Sequence, residues 1–113
     1  MISRHWKGLC KREDAARYVE HLKRKTFPQL ATLHGFVRAT ILRRELDGGT
    51  EFQVVTVWQS LAAIEAFAGR SVEAAVVPGA VQAIMLSYDQ SVAHYEVAHT
   101  STARGAGTTV KER

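Results

Sequence analysis

Cysteine, proline and long apolar runs are scarce in this chain, and each scarcity closes off a class of protein. One thiol, Cys10, among 113 residues leaves no internal disulfide and no multi-thiolate metal site. It fits a reducing compartment, so the cytoplasm is the expected location. No run of about 18 apolar residues occurs, and no membrane partner or membrane-spanning helix is expected. The opening Arg4, His5 and Lys7 lead into Lys11, Arg12, Glu13 and Asp14 without the apolar core of a secretory signal. Charge of one sign is also not abundant: 15 Lys and Arg against 11 Asp and Glu leave a net charge of +4. The basic residues are not interleaved with aromatics as a base-stacking platform requires, so a nucleic-acid partner is not expected. His5, His21 and His34 lack metal-ligand spacing such as His-x-x-x-His, so no metal is expected.

What is present describes one ordinary folded domain. A hydrophobic share of 46% with 23% charged residues is enough for one core, and the length leaves no room for two. The domain is expected over residues 1–99, with a flexible tail over 100–113, where Gly, Ser and Thr replace any apolar period.

The opening run 2–10 and the closing run 91–97 read as strands that carry polar and aromatic side chains where a sheet with two greasy faces would carry Val and Ile. Alternation puts Arg4 and Trp6 on one face of the first, and Val92, His94 and Glu96 on one face of the last. Between them, Ala16, Tyr18, Val19 and Leu22 recur at helical spacing and predict an amphipathic helix over 13–26. Pro28 predicts a connector over 27–33. The runs 36–45 and 51–59 flank Asp47-Gly48-Gly49, whose positive backbone angles predict a hairpin. Ser60 is placed to cap a helix that puts Leu61, Ile64 and Phe67 on one face and closes at Gly69. A short helix is expected over 72–77, stopped by Pro78-Gly79, and residues 80–88 read as helical or irregular.

The order strand, helix, strand, strand, helix, strand predicts an α+β ferredoxin-like fold: a four-stranded antiparallel sheet with both helices on one face. The other sheet face must be solvated or covered. Since Trp6, Phe36, Phe52, Trp58 and Tyr95 all lie on strands, a homodimer that closes two sheets together is expected.

Several stretches resemble the antibiotic biosynthesis monooxygenase domains of the dimeric α/β-barrel superfamily: Arg4-x-Trp6-x-Gly8, Leu42-Arg43-Arg44-Glu45, Val54-Val55-Thr56-Val57-Trp58-x-Ser60, Ile64-x-Ala66-Phe67-Ala68-Gly69, Ala75-Val76-Val77-Pro78 and His94-Tyr95-Glu96-Val97. The resemblance covers about residues 1–98. It implies the dimeric α/β barrel and two kinds of chemistry. Haem-degrading relatives use an Asn on the first strand, a Trp on the second helix and a nearby axial His; the matching places here hold Trp6, Phe67 and Val77, and Val77 cannot ligate iron. The other chemistry is cofactor-free oxygenation of a small aromatic such as a quinol or polyphenol. It needs a dry cavity, a base and a partner for developing negative charge.

The residues offer candidates for each part. His94 is the expected proton acceptor, because its ordinary pKa of about 6.5 lies near neutrality. Arg4 is the expected charge partner, with Arg38 as a second choice. Trp6, Trp58 and Phe67 are the expected walls, and no cofactor is required. Glu96 stands two positions from His94, about 6–7 Å away along the strand; it can orient the imidazole or pair with Arg4 or Lys7. Each residue also has a plain structural reading: His94 as a histidine bonded to a neighbour, the tryptophans as core or interface anchors, Arg43 and Arg44 as an edge-protecting pair, Cys10 as an inert small hydrophobe. The alternative function is therefore a non-enzymatic binding or assembly module of the same fold, with Trp6 filling its cavity.

Overall fold

In the computed structural model, which describes residues 1–103, the chain folds as one antiparallel sheet with its helices on one side. Strand β1 (Ile2–Cys10) is central. It pairs with β3 (Gly49–Trp58), which pairs in turn with β2 (Phe36–Leu46). On its other edge β1 is met by two short strands in tandem, β4 (Met85–Tyr88) and β5 (Ala93–Glu96). The closing strand expected over 91–97 is thus half of a broken one, and part of the stretch expected to be helical or irregular supplies the other half. Of the tail, the residues from Arg104 onward lie outside the described residues.

The register decides which side chains meet the helices. Ile2, Arg4, Trp6, Gly8 and Cys10 stand opposite Trp58, Thr56, Val54, Phe52 and Thr50, and directly paired residues share a face. This face carries the buried set Arg4, Cys10, Phe52, Thr56 and Trp58. Phe36 joins it, being paired with Trp58 before a bulge, so four of the five strand aromatics lie under the helices. Of these five, only Tyr95, opposite Ser3, lies on the open face. Aromatic surface therefore does not account for a covered open face as the composition suggested.

The first helical stretch is longer than expected and changes gauge. An α-helix, α1 (Ala15–His21), widens into a π-helical turn over Leu22–Thr26 and re-tightens as α2 (Phe27–Leu30). The N–H of Phe27 reaches the carbonyl of Leu22, five residues back. Pro28, expected to stop the helix before the connector, instead sits in the first turn of α2, where its missing N–H costs least. The helix α3 (Leu61–Ala68) forms as expected: the Ser60 hydroxyl accepts the N–H of Ala63 at 3.2 Å, and Gly69 ends it at φ +83°. Ile64 is buried, but Leu61 remains half-exposed and off the core face. A last short helix, α4 (Gly79–Gln82), follows Pro78.

The helix expected over 72–77 does not form. That segment is an extended strap, bridged at Ala74 to Ser91 and tied by Ala75 N–H to the Gln90 carbonyl and Val92 N–H to the Glu73 carbonyl. Its local bias favours this, since Val72, Val76 and Val77 are β-branched and Val77 precedes a proline. The carbonyls of Val72 and Ala74, which a helix would use internally, are taken by Arg4.

The hairpin forms, but not with the angles anticipated. Of Asp47, Gly48 and Gly49, only Gly49 has positive φ, at +153°, and a Cβ there would lie 2.5 Å from the Cys10 carbonyl oxygen. Gly49→Ala is therefore expected to lower the unfolding free energy by about 2 kcal/mol, whereas Gly48→Ala, which meets only ordinary contact at 3.9 Å, should change it by less than about 0.5 kcal/mol. Urea denaturation of the two variants checks this contrast, and equal losses would contradict it.

Candidate functional site

Two core clusters form beneath the helices, one around Cys10, Tyr18 and Phe52, the other around Leu30, Trp58 and Ile64. Phe27 packs against both. Where they meet, a cavity of about 140 Å³ opens between helices and sheet. Its floor is Arg4, Trp6, Val54 and Thr56; Tyr18, Leu22, Thr26 and Leu30 wall it from the helical side, and Phe67 with the strap residues Val76 and Val77 close another side. The π-helical turn supplies both Leu22 and Thr26 to that wall, a local irregularity of the kind often found at functional sites.

Trp6 and Gly8 explain each other. The indole leans along β1 toward Gly8, where a Cβ would lie 2.6 Å from its ring, and its Nε1–H donates to the Asp89 carbonyl at 3.0 Å. The tryptophan thus fills one end of the site and leaves the space above Arg4 open. At that end the walls are aromatic: Phe67 is stacked on Trp58 with centroids 5.7 Å apart, and the Arg4 guanidinium lies 5.6 Å from the Phe67 centroid.

Arg4 is 5% exposed. Its Nη1 donates to the Val72 carbonyl at 2.5 Å and to His94 Nε2 at 3.0 Å, and its Nη2 donates to the Ala74 carbonyl at 3.0 Å. Among the described residues no carboxylate makes a salt bridge with it. Burial pulls its pKa down, and the nearby Glu73 carboxylate offsets part of that. Since a guanidinium can only donate, His94 accepts at Nε2 and carries its proton on Nδ1. Burial first, then the Arg4 charge, lower the His94 pKa, against a smaller opposing effect of Glu73. His94 stands behind Arg4 and does not line the cavity.

The expected site residues thus divide. Arg4, Trp6 and Phe67 line the cavity together, and His94 touches it through Arg4. Trp58 is fully buried beside Phe67, with its Nε1–H on the Thr56 hydroxyl at 2.9 Å, so it supports the wall without lining it. Arg38 pairs with Val57 across the bulge and is exposed on the opposite face of the sheet. Glu96 is exposed and, among the described residues, forms neither the imidazole contact nor an ion pair. Arg43 and Arg44 bind Glu45 and Glu51 at 3.0 and 2.7 Å on the hairpin.

Tyr18 was not among the expected site residues, because its spacing marks only an apolar helix face. Its ring packs edge-on to Phe52 at 4.9 Å and lines the cavity. Burial, with a smaller push from Cys10, raises its pKa well above the ordinary phenol range, so it remains a neutral donor. Cys10 itself is fully buried with its ionisation pushed up, chiefly by burial.

A sequence model of the antibiotic biosynthesis monooxygenase family matches residues 9–72, more than half of the chain. No protein of curated function matches in sequence. Among solved structures, a Bacillus cereus protein described as an antibiotic biosynthesis monooxygenase is 16% identical at a TM-score of 0.63, covering 92% of this chain and 97% of its own. A variant of SnoaB, a cofactor-independent oxygenase from Streptomyces nogalater, is 20% identical at 0.62, covering 88% and 94%. The heme-degrader MhuD from Mycobacterium tuberculosis, with two hemes in its active site, is 19% identical at 0.58, covering 90% and 100%. At these identities the structures establish the fold.

The haem chemistry of the last neighbour can be set against this cavity. Val77 offers no iron ligand, and Tyr18, the one lining side chain of a type that ligates haem iron, is held protonated. Among the described residues no three His, Cys, Asp or Glu side chains gather as a metal site. Among the described residues that line the cavity, Tyr18 is thus the one candidate axial ligand.

The two partly buried imidazoles generate a pH prediction. His94 and His5 titrate lower in the fold than in the unfolded chain, whose histidines titrate near 6.5. As pH falls through about 6.5 the unfolded chain takes up these protons first, so their contribution is whole above that pH and is lost below it. Stability is expected to fall between pH 7 and 5, and His94→Gln should flatten that fall. Urea midpoints across the range check it; an unchanged slope in the variant would contradict it.

Proposed function

Because this chain belongs to the antibiotic biosynthesis monooxygenase family, we propose that it is a cofactor-independent monooxygenase acting on a small aromatic molecule, a quinol or polyphenol, in the cavity above Arg4. The observation that carries the reading is an apolar cavity walled by aromatic rings with one buried cation on its floor and no carboxylate paired to it. Such a site favours the ionised form of a bound phenol and places the charge that passes from ring to dioxygen where a fixed donor meets it. The substrate supplies all the electrons. One oxygen atom enters a ring C–H bond as C–OH, the other leaves as water with the two quinol hydrogens, and the product is a hydroxyquinone.

In this reading Arg4 is the charge partner, and Trp6 and Phe67 hold the ring. His94, expected as proton acceptor, becomes a positioning residue: its Nε2 lone pair is spent on Arg4, and the substrate proton goes to solvent. Tyr18 supplies a neutral donor from the helical side. A homodimer closed over the open sheet face, where Tyr95 is 58% exposed and Leu42 48% exposed, completes the family assembly. No helix among the described residues is long and apolar enough to cross a membrane, and the buried Cys10 suits a reducing compartment such as the cytoplasm.

Oxygen uptake with a quinol and no added metal tests the reading. One dioxygen consumed per quinol with a hydroxyquinone formed is expected, and Arg4→Gln should lower kcat about 100-fold, the usual loss for one oxyanion donor. His94→Ala should lose activity that His94→Gln retains. A quinol that binds without oxygen uptake would overturn the enzyme reading and assign the alternative, a small-molecule-binding module. Light scattering checks the assembly: a dimer mass is expected, and a monomer would contradict the closed barrel.

A further inference from the structure

Arg4 brings a full charge into an apolar space and does not spend all its donors there. A guanidinium carries five N–H groups. Among the described residues three are engaged, by the carbonyls of Val72 and Ala74 and by His94 Nε2. The Nε–H and one N–H of Nη2 have no protein acceptor, although the side chain is 5% exposed and lines the cavity. Burying a charge without an opposite charge or full hydrogen bonding is costly, and a ligand that carries negative oxygen would complete the set.

The space beside it sets the size of that ligand. A cavity near 150 Å³ accommodates one benzene ring, and this one is about 140 Å³. Its walls, Trp6, Phe67 and Phe27, suit the faces and edges of one aromatic ring. The other titratable groups around it leave the charge uncancelled. Tyr18 is held neutral by burial, His94 is turned to Arg4, and Glu73 acts on Arg4 from the exposed side of the strap without pairing to it.

We infer that the cavity takes a one-ring phenol in its ionised form, with the phenolate oxygen on the two free N–H donors of Arg4. This rests on the reading of the same cavity as an aromatic site and narrows it to one ring, with the anion's oxygen on two named donors. Tyr18, whose hydroxyl has no acceptor among the described residues, offers a second donor to a ring that carries another oxygen.

The test uses 4-nitrophenol, whose protonated and ionised forms absorb at different wavelengths, so that its pKa when bound is read directly. With the full chain, the bound probe is expected to ionise about one unit or more below its free value, as an acid does beside a cation. Arg4→Lys should keep a shift, and Arg4→Met should abolish it while the ring still binds. Should Arg4→Met fail to fold, the wild-type spectrum and Arg4→Lys still decide. A bound probe that titrates at or above its free value overturns the inference, as does displacement by a three-ring phenol as readily as by phenol itself. Tighter displacement by benzoate would overturn the phenolate in favour of an aryl carboxylate. Oxygen uptake plays no part in this readout. A shifted pKa without turnover therefore keeps the inference and removes the oxygenase reading, and turnover with an unshifted pKa does the reverse.

Discussion

The guanidinium of Arg4 is the point at which three separate parts of the chain are made to agree. It rises from the central strand, takes the carbonyls of Val72 and Ala74 from the strap, and donates to His94 on the closing strand. Without it, two carbonyls beside the cavity lose their donor and the strap loses one of its reasons to remain extended. The cost of burying its charge is met in part by these bonds and by the face of Phe67. Two of its N–H groups are left without a protein acceptor and the residue lines the cavity, so the same side chain that holds the strap in place gives the cavity its chemical character.

The rest of the architecture follows from the register around that residue. Because Arg4 stands opposite both Thr56 and His94, the even positions of β1 and β3 face the helices. Trp6, Val54 and Thr56 then become the cavity floor, with Phe52 and Trp58 as the core beside it. Gly8 leaves room for the Trp6 indole to lean away from Arg4. A larger residue at either place would redistribute the space between them, so cavity size depends on a pair two positions apart on one strand.

The first three strands, the hairpin position and the α3 cap were legible in the sequence because each rests on local signals: β-branched runs, Asp47-Gly48-Gly49 and Ser60. The face that each strand turns to the helices was not, since alternation alone gives two equivalent answers. That ambiguity is why Arg38 could be counted with Arg4, although a bulge at β2 turns it to the other side. The strap over 72–77 was misread as a helix because the donor to its carbonyls is Arg4, about seventy residues away in sequence. Tyr18 was invisible as a site residue for a similar reason: nothing in a helical apolar pattern distinguishes a core phenol from one that borders a cavity. The π-helical turn before Pro28 left only the proline as a clue, and a proline marks an interruption without saying whether the helix stops or widens.

The central claim is that the space above Arg4 holds a phenol by its oxygen. A crystal structure of the protein with phenol bound tests it most directly. The account predicts one ring between Trp6 and Phe67 with its oxygen about 3 Å from the Arg4 guanidinium, a normal charge-assisted hydrogen bond. A ring on the open face of the sheet, or one whose oxygen points away from Arg4 toward solvent, would contradict it.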